Sequence, residues 1–384
     1  MNLGTLNTTI KLPFYIYSLQ LLIISTTGKI AVAKPPLPSR KFTTEQQLPS
    51  RLNNEINTLW QQGTFDYFSG VNNARINYAL FVQSSINKDT KIKSCSEKRK
   101  CLVIVPGRSE GYLKYQELIF DIYQQGYDIF IIDHRGQGIS ERLLTNTHKG
   151  YVDSFEDYST DLHLFIKQVV SLHCHEKPYL LAHSMGGMIS ARYLQKHPEV
   201  FKAAVLSSPM IAINSGGMPK WLGKVLIYTG EQLNQWLSND AWYFLGQSNI
   251  KDDAYQLKNF NNNRLMQSHI RYQQFTQLYH LTPAIQLGGV TLHWLAEALK
   301  AENILFKNIS QLTTPVLVLQ AGADSVVDNE AQRAFCQQLH KQHPKSCPNG
   351  QPIVINNARH ELFFESDQYR DQALEHVITW FEKN

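Results

Sequence analysis

Ser184, Asp324 and His360 have the residue types and the chain order for nucleophilic chemistry. A serine hydroxyl is a poor nucleophile near neutral pH. It needs a base to take its proton, and a histidine does this best when an acid on its far side fixes the tautomer. The serine belongs on a tight turn between a strand and a helix, where small residues two before and two after it let the backbones crowd together. Two segments fit that pattern. Gly107-Arg108-Ser109-Glu110-Gly111 has glycine at both small positions, and Ala182-His183-Ser184-Met185-Gly186 has alanine at the first. Ser184 is the better candidate. The apolar run Tyr179 to Ala182 leads straight into it, and Gly186, Gly187, Ser190 and Ala191 keep the packed face of the next helix slim. No glycine-rich loop precedes Ser109 to stabilise developing charge, so Ser109 fits better beside such a loop than as the nucleophile.

The acid and the base should follow later strands, in the order Ser, Asp, His. The run Pro315 to Gln320 ends at Ala321-Gly322-Ala323-Asp324, which makes Asp324 the expected acid. Asp328 competes, but it precedes the helix expected from Asn329 to Gln342 and reads as its N-cap. Pro352 to Ile355 leads to His360, the expected base, whereas His340, His343 and His376 fall on helices. An acyl-transfer oxyanion needs two N–H donors. The Met185 amide at the helix start is one, and the Arg108 amide in the loop Pro106-Gly107-Arg108 is the other. There is no CxxC pair, so a zinc site is not expected, and the chemistry calls for no cofactor.

The elements that must position these residues can be read from residue 101 onward. Apolar runs at Cys101 to Val105, Asp128 to Ile132, Tyr179 to Ala182, Ala203 to Leu206, Pro315 to Gln320 and Pro352 to Ile355 alternate with helical stretches. That alternation implies a parallel sheet covered on both faces. Phe65 to Phe68 and Asn77 to Val82 precede it as leading strands, expected to be antiparallel. The expected fold is therefore α/β: an α/β-hydrolase fold with a mostly parallel eight-stranded sheet, helices on both faces and a helical lid. The lid is expected over 210–311, where the alternation stops, between core segments 34–209 and 312–384. It holds Trp221, Trp236, Trp242 and Trp294, expected either to line an apolar slot or simply to form the lid's own core.

Residues 1–33 are expected to be a signal peptide, with an uncleaved membrane anchor as the alternative. Lys11 precedes an apolar run from Pro13 to Ile24, and Ala31-Val32-Ala33 offers a small-x-small cleavage site. In an exported protein some of the five cysteines would pair. Cys336 with Cys347 and Cys95 with Cys101 are the expected bridges, and five reduced cysteines are the alternative. With 43 % hydrophobic and 18 % charged residues the composition is globular, and a net charge of +5 gives no reason to expect nucleic acid. The lysine-rich stretch Lys88 to Lys100 reads as a solvated loop.

Several segments together resemble the bacterial lysophospholipase L2 family, which is close to the monoacylglycerol lipases. They are Pro106-Gly107-Arg108, Asp133-His134-Arg135-Gly136-Gln137-Gly138, Leu181-Ala182-His183-Ser184-Met185-Gly186-Gly187, Gly288-Gly289-x-Thr291-x-His293-Trp294, Val326-Val327-Asp328-Asn329 and His360-Glu361-x-x-Phe364-Glu365. The resemblance runs from about residue 60 to the end. It implies hydrolysis of the one acyl ester of a lysophospholipid, with acyl transfer to a second lipid alcohol as a further activity. It also implies an inner-membrane enzyme facing the cytoplasm, from which the export-like N-terminus departs.

The expected partners are a lysophospholipid or other monoacyl lipid and a membrane surface. Gly107, Arg271, His293 and Trp294 are the residues expected to meet the substrate. Arg108 and Arg271 are cations that could pair with a phosphate, although Arg108 also has Glu110 nearby as a salt-bridge partner. Asp133 and Arg135 read as holding their turn together, and His183 as packing beside the elbow. A monoacylglycerol lipase or carboxylesterase is the alternative activity, and a proline-type aminopeptidase the next. A non-catalytic lipid-binding protein of the same fold is the rival from another class.

Overall fold

The computed structural model describes residues 41–83, 99–214, 216–251 and 254–384. The apolar runs form eight strands of one sheet: β1 (Thr64–Ser69), β2 (Arg75–Phe81), β3 (Lys100–Val105), β4 (Tyr127–Ile132), β5 (Tyr179–His183), β6 (Ala204–Ser207), β7 (Val316–Ala321) and β8 (Ile353–Ile355). Their order across the sheet is β1-β2-β4-β3-β5-β6-β7-β8. β1 and β2 pair antiparallel, β2 pairs antiparallel with β4, and every later pair is parallel.

Burial follows the two-residue period of a strand. Val103 and Val105 of β3 enter one core with Leu180 and Ala182 of β5. Leu102, Ile104, Tyr179 and Leu181 enter a second core on the opposite face. Helices Phe155–Phe165, Met185–Lys196, Leu292–Lys307 and Asn329–Gln342 cover the first face. Helices Gln116–Gln124 and Asp367–Lys383 cover the second, with two short N-terminal helices over Leu48–Gln61. β4 lies on one side of β3 and β5 on the other. The loops after β3 and β5 therefore part at the carboxyl edge of the sheet, where ligands of open α/β sheets bind.

The chain between β6 and β7 holds helices Lys220–Leu237, His269–Leu281 and Leu292–Lys307. The motif at 288–294 docks and caps this insertion. Gly288 N–H donates to His148 O at 2.8 Å, and Gly150 N–H to Gly289 O at 2.8 Å. Thr291 is the N-cap of the third helix: its Oγ1 accepts from Trp294 N–H at 3.2 Å and donates to Gly150 O at 2.9 Å.

The cysteines pair differently from expectation at one bridge. Cys336–Cys347 is formed, closing the end of its helix onto the next loop. Cys101, however, is bridged to Cys174 rather than to Cys95. Cys101 is the second residue of β3 and Cys174 ends the helical segment before β5, so the parallel pairing of those two strands sets them 6.1 Å apart at Cα. Cys95 and most of the lysine-rich stretch lie outside the described residues, as does the N-terminal segment 1–33. Among the described residues no helix is long and apolar enough to cross a membrane.

Candidate active site

β5 runs directly into Ser184, and helix Met185–Lys196 begins at the next residue. Ser184 has φ 51° and ψ −118°, a strained conformation for a residue with a side chain. Hydrogen bonds hold it there. Ser184 N–H donates to Ser207 O at 3.0 Å, and its carbonyl accepts from Gly187 and Met210 N–H, both at 2.9 Å. Gly186 cannot be larger, because a Cβ there would lie 2.2 Å from Val105 O and 2.4 Å from Pro106 O. The close crossing of β3 and this helix is thus the physical reason for the small residue after the serine.

The loops after β7 and β8 bring in Asp324 and His360. His360 Nδ1 donates to Asp324 Oδ2 at 2.7 Å, and His360 Nε2 lies 2.9 Å from Ser184 Oγ, whose hydroxyl donates to it. Asp324 Oδ1 accepts from Val326 N–H at 2.8 Å and Val327 N–H at 3.2 Å. Burial pushes the Asp324 carboxyl up, but the His360 contact and these two amides outweigh it and hold the acid below the usual carboxylate range. Asp328 caps helix Asn329–Gln342 through Glu330 and Ala331 N–H, apart from the triad. Three side chains from three loops thus meet in the nucleophile–base–acid geometry of acyl transfer.

The loop after β3 abuts the serine: a Cβ on Gly107 would lie 3.1 Å from Ser184 Cβ. Met185 N–H is the first amide of its helix and so has no intrahelical acceptor. Arg108 follows Gly107 in that loop and lines the same cavity as Ser184. A cavity of about 500 Å³ opens over Ser184 and His360, lined also by Arg108, Tyr255, Phe275 and Trp294. A second, largely apolar cavity of about 310 Å³ shares Ile213, Val290 and Leu295 with it and extends beneath helix Lys220–Leu237.

Arg108 is not paired with Glu110. Glu110 is taken by Lys114, at 2.7 Å, and the same ammonium reaches Glu361 at 2.7 Å. Burial pushes Glu110 up, but Lys114 and His183 outweigh it, so this carboxyl stays below its usual range. Glu361 goes the other way, because burial outweighs its share of Lys114. Glu110, His183 and Glu361 lie close enough to resemble a metal cluster, but the Lys114 ammonium already occupies the space between the two carboxylates. Burial pulls His183 down to about 4, so it is a neutral packing group beside the elbow.

Among the described residues the Arg108 side chain donates hydrogen bonds to Ser109 Oγ, at 3.1 Å, and to Gly288 O. Its Nε is buried with no hydrogen-bond partner among the described residues, and its guanidinium lies 5.8 Å from the Trp294 ring centroid. Among the described residues no carboxylate forms an ion pair with it, and burial pulls it down to about 10.

Two expected substrate residues are placed elsewhere. Arg271 is not at the site. Its guanidinium is spent on Glu117 at 2.9 Å and Asp367 at 2.8 Å, pinning the lid helix to the core, and it lines a different cleft. Burial works against its charge, but these two acids outweigh it and raise its pKa. His293 is likewise structural. Nδ1 contacts Glu231 at 2.7 Å and Nε2 contacts Asp153 O at 3.0 Å, and the residue is not among those lining the cavity. Of the lid tryptophans only Trp294 is buried, at 2 % exposure, whereas Trp221 and Trp236 are 68 % and 78 % exposed.

Asp133 and Arg135 hold their turn as expected, through Tyr112 and Ile139 N–H and through Asp161. Sequence reasoning missed Lys114, Tyr255, Phe275 and Gln137. The first three stand out only once the loops and lid close over Ser184. Gln137, between two glycines of the turn that carries the family resemblance, marks the family in sequence but shows no role at the site until the fold sets it against the loop after β3.

The fold and this triad define an α/β-hydrolase with a serine nucleophile site. The model of the serine aminopeptidase S33 family matches residues 96–367. Lysophospholipase L2 of Escherichia coli K12 is 34 % identical over 330 residues, covering 86 % of this chain and 90 % of that protein. A probable lysophospholipase L2 of Haemophilus influenzae is 33 % identical over 84 % of this chain and 93 % of its own. The chain belongs to the lysophospholipase L2 family, within those serine hydrolases, and is a lysophospholipase-like serine ester hydrolase. In fold it is similar to the monoglyceride lipase of Saccharomyces cerevisiae, with a TM-score of 0.61 at 16 % identity over 83 % of this chain and 94 % of that one.

Proposed function

We propose that the enzyme releases the fatty acid of a lysophospholipid through an acyl-enzyme on Ser184. His360 Nε2 takes the hydroxyl proton as Ser184 Oγ adds to the ester carbonyl, and Asp324 holds the imidazole. The Met185 and Arg108 amides receive the charge on the carbonyl oxygen. His360 then protonates the leaving glycerol oxygen, and water repeats the sequence on the acyl-serine. The two neighbouring apolar-lined cavities offer room for a single acyl chain, each buried CH₂ of which contributes about 0.8 kcal/mol.

The observation that carries the head-group reading is Arg108, a half-buried cation at the mouth of the site with no carboxylate partner among the described residues. A phosphate would supply the missing counter-charge, and such a charge-assisted bond contributes about 1.5–3 kcal/mol, roughly a 10- to 100-fold preference. Helix Lys220–Leu237 supports a membrane-facing role for the lid. It exposes Trp221, Val225, Tyr228, Leu233, Trp236 and Leu237 to solvent, an arrangement that suits the interfacial region of a bilayer.

One set of assays tests these points. With monomeric substrates, kcat/KM for lysophosphatidylethanolamine should exceed that for monoacylglycerol of the same chain length, and Arg108→Gln should remove most of the difference. A better rate on monoacylglycerol would favour the monoacylglycerol lipase reading instead. Trp236→Ser should weaken sedimentation with anionic phospholipid vesicles without changing hydrolysis of monomers, and unchanged sedimentation would exclude the lid as the contact.

We further propose export, with the N-terminal segment removed or retained as an anchor. Two disulfides support this, since such bonds persist in oxidising compartments. The mature chain should begin near Lys34 or, with the anchor retained, keep Met1 in the membrane fraction, and Cys101, Cys174, Cys336 and Cys347 should resist alkylation until reduced. An intact Met1 in a cytoplasmic fraction, with all four thiols reactive, would reject it.

A further inference from the structure

The turn after β4 places one side chain against the loop that carries the Arg108 amide. Gln137 is 2 % exposed and spends its whole amide on that loop. Nε2 donates to Gly107 O at 2.7 Å and to Glu110 O at 2.8 Å, while Oε1 accepts from Ser109 N–H at 3.2 Å. The Gly107 carbonyl and the Arg108 N–H belong to one planar trans peptide and point in opposite directions. Whatever fixes that carbonyl therefore fixes the direction of the amide.

The peptide before it is clamped in the same way. Gly107 N–H donates to Glu110 Oε2 at 2.6 Å, and Pro106 O contacts His134 Nε2 at 3.1 Å. The residue after Arg108 is held too: Ser109 sits at φ 61°, and Tyr279 from the lid donates to its carbonyl at 2.6 Å. Glycine at 107 offers little resistance to rotation of its own. Without the clamp, the Gly107–Arg108 peptide could turn over and present a carbonyl where a donor is needed.

We infer that Gln137 is a positioning residue for the oxyanion hole, aiming the Arg108 N–H by holding the Gly107 carbonyl. The inference rests on the reading of Ser184 and the two amides given above. It makes no contact between Gln137 and substrate necessary. It predicts that losing the side-chain amide weakens binding of the tetrahedral, negatively charged state and leaves ground-state binding alone.

The test uses Gln137→Met, which is close in volume and has no strong donor. Three quantities are measured on the full chain. They are kcat and KM for a soluble ester, the inhibition constant of a trifluoromethyl ketone lipid analogue, and that of a non-hydrolysable ether lysolipid. The ketone forms a hemiketal when Ser184 Oγ adds to its carbonyl carbon. The serine proton passes to His360, and the former carbonyl oxygen becomes the anion in the hole. The ether lysolipid forms no such anion.

Gln137→Met should lower kcat about 10- to 100-fold, less than the 10²- to 10³-fold typical of losing a donor outright, with KM little changed. The ketone constant should rise by the same factor and the ether constant should stay put. Because the ratio of the two constants does not depend on the folded fraction, partial misfolding cannot mimic the result. If Gln137→Met yields no soluble protein, Gln137→Asn, too short to reach both carbonyls, is read by the same ratio. An unchanged ratio, or a parallel rise of both constants, would overturn the assignment. Persistent hydrolysis by Ser184→Ala would instead overturn the underlying reading of the site.

Discussion

Ser184→Ala should lower kcat for ester hydrolysis by about 10⁶-fold, the loss typical of removing a triad serine, while the protein stays folded. Ser184 Oγ is the only atom of the triad positioned to form the acyl bond, 2.9 Å from His360 Nε2. The elbow's backbone bonds use the Ser184 N–H and carbonyl and not its side chain, so alanine keeps them. Ser109→Ala provides the contrast. The Ser109 hydroxyl accepts from Arg108 Nη1 at 3.1 Å and has no histidine hydrogen-bonded to it among the described residues, so that variant should keep most of its activity. The stronger glycine pattern around Ser109 makes this pair decisive. Steady-state rates on a chromogenic ester, with thermal unfolding of each variant, separate the two serines. A Ser184→Ala enzyme of near wild-type rate would contradict the site.

The second large effect is expected at Asp324. An asparagine there can still accept from Val326 and Val327 N–H, so the loop should keep its shape. Its NH₂ would face His360 Nδ1 and favour the tautomer with the proton on Nε2. That nitrogen could no longer take the serine proton. Asp324→Asn should therefore lower kcat by about 10⁴-fold with KM nearly unchanged. Asp328→Asn removes the ion pair to Lys220 but leaves a good cap for helix Asn329–Gln342. It should change stability by less than about 1 kcal/mol and leave kcat intact. Equal losses in the two variants would mean that the acid is misassigned.

The triad was legible because its logic is local. Each member follows an apolar strand, and the parallel sheet brings those strand ends together at one edge. The strand runs, the antiparallel leading strands and a helical insertion between β6 and β7 were readable for the same reason. Residues whose roles depend on distant partners were not. Arg271 looks free on its helix, yet Glu117 lies 154 positions away in the chain and takes its charge. His293 beside Trp294 looks equally available until Glu231 of the first lid helix reaches it. Cys101 has a cysteine six positions back, but its partner is set by the pairing of β3 with β5. The lid tryptophans mark an apolar helix without saying which face looks outward. Gln137 could be placed on its turn, but not against the loop of another strand.

Labelling with a fluorophosphonate probe, followed by peptide mapping, tests the central claim most directly. The probe's phosphorus is attacked by an activated serine, fluoride leaves, and a phosphonyl ester marks the residue. The label should fall on Ser184, disappear in Ser184→Ala, and be suppressed by a bound ether lysolipid. A label on Ser109, or no label on folded protein, would contradict the account.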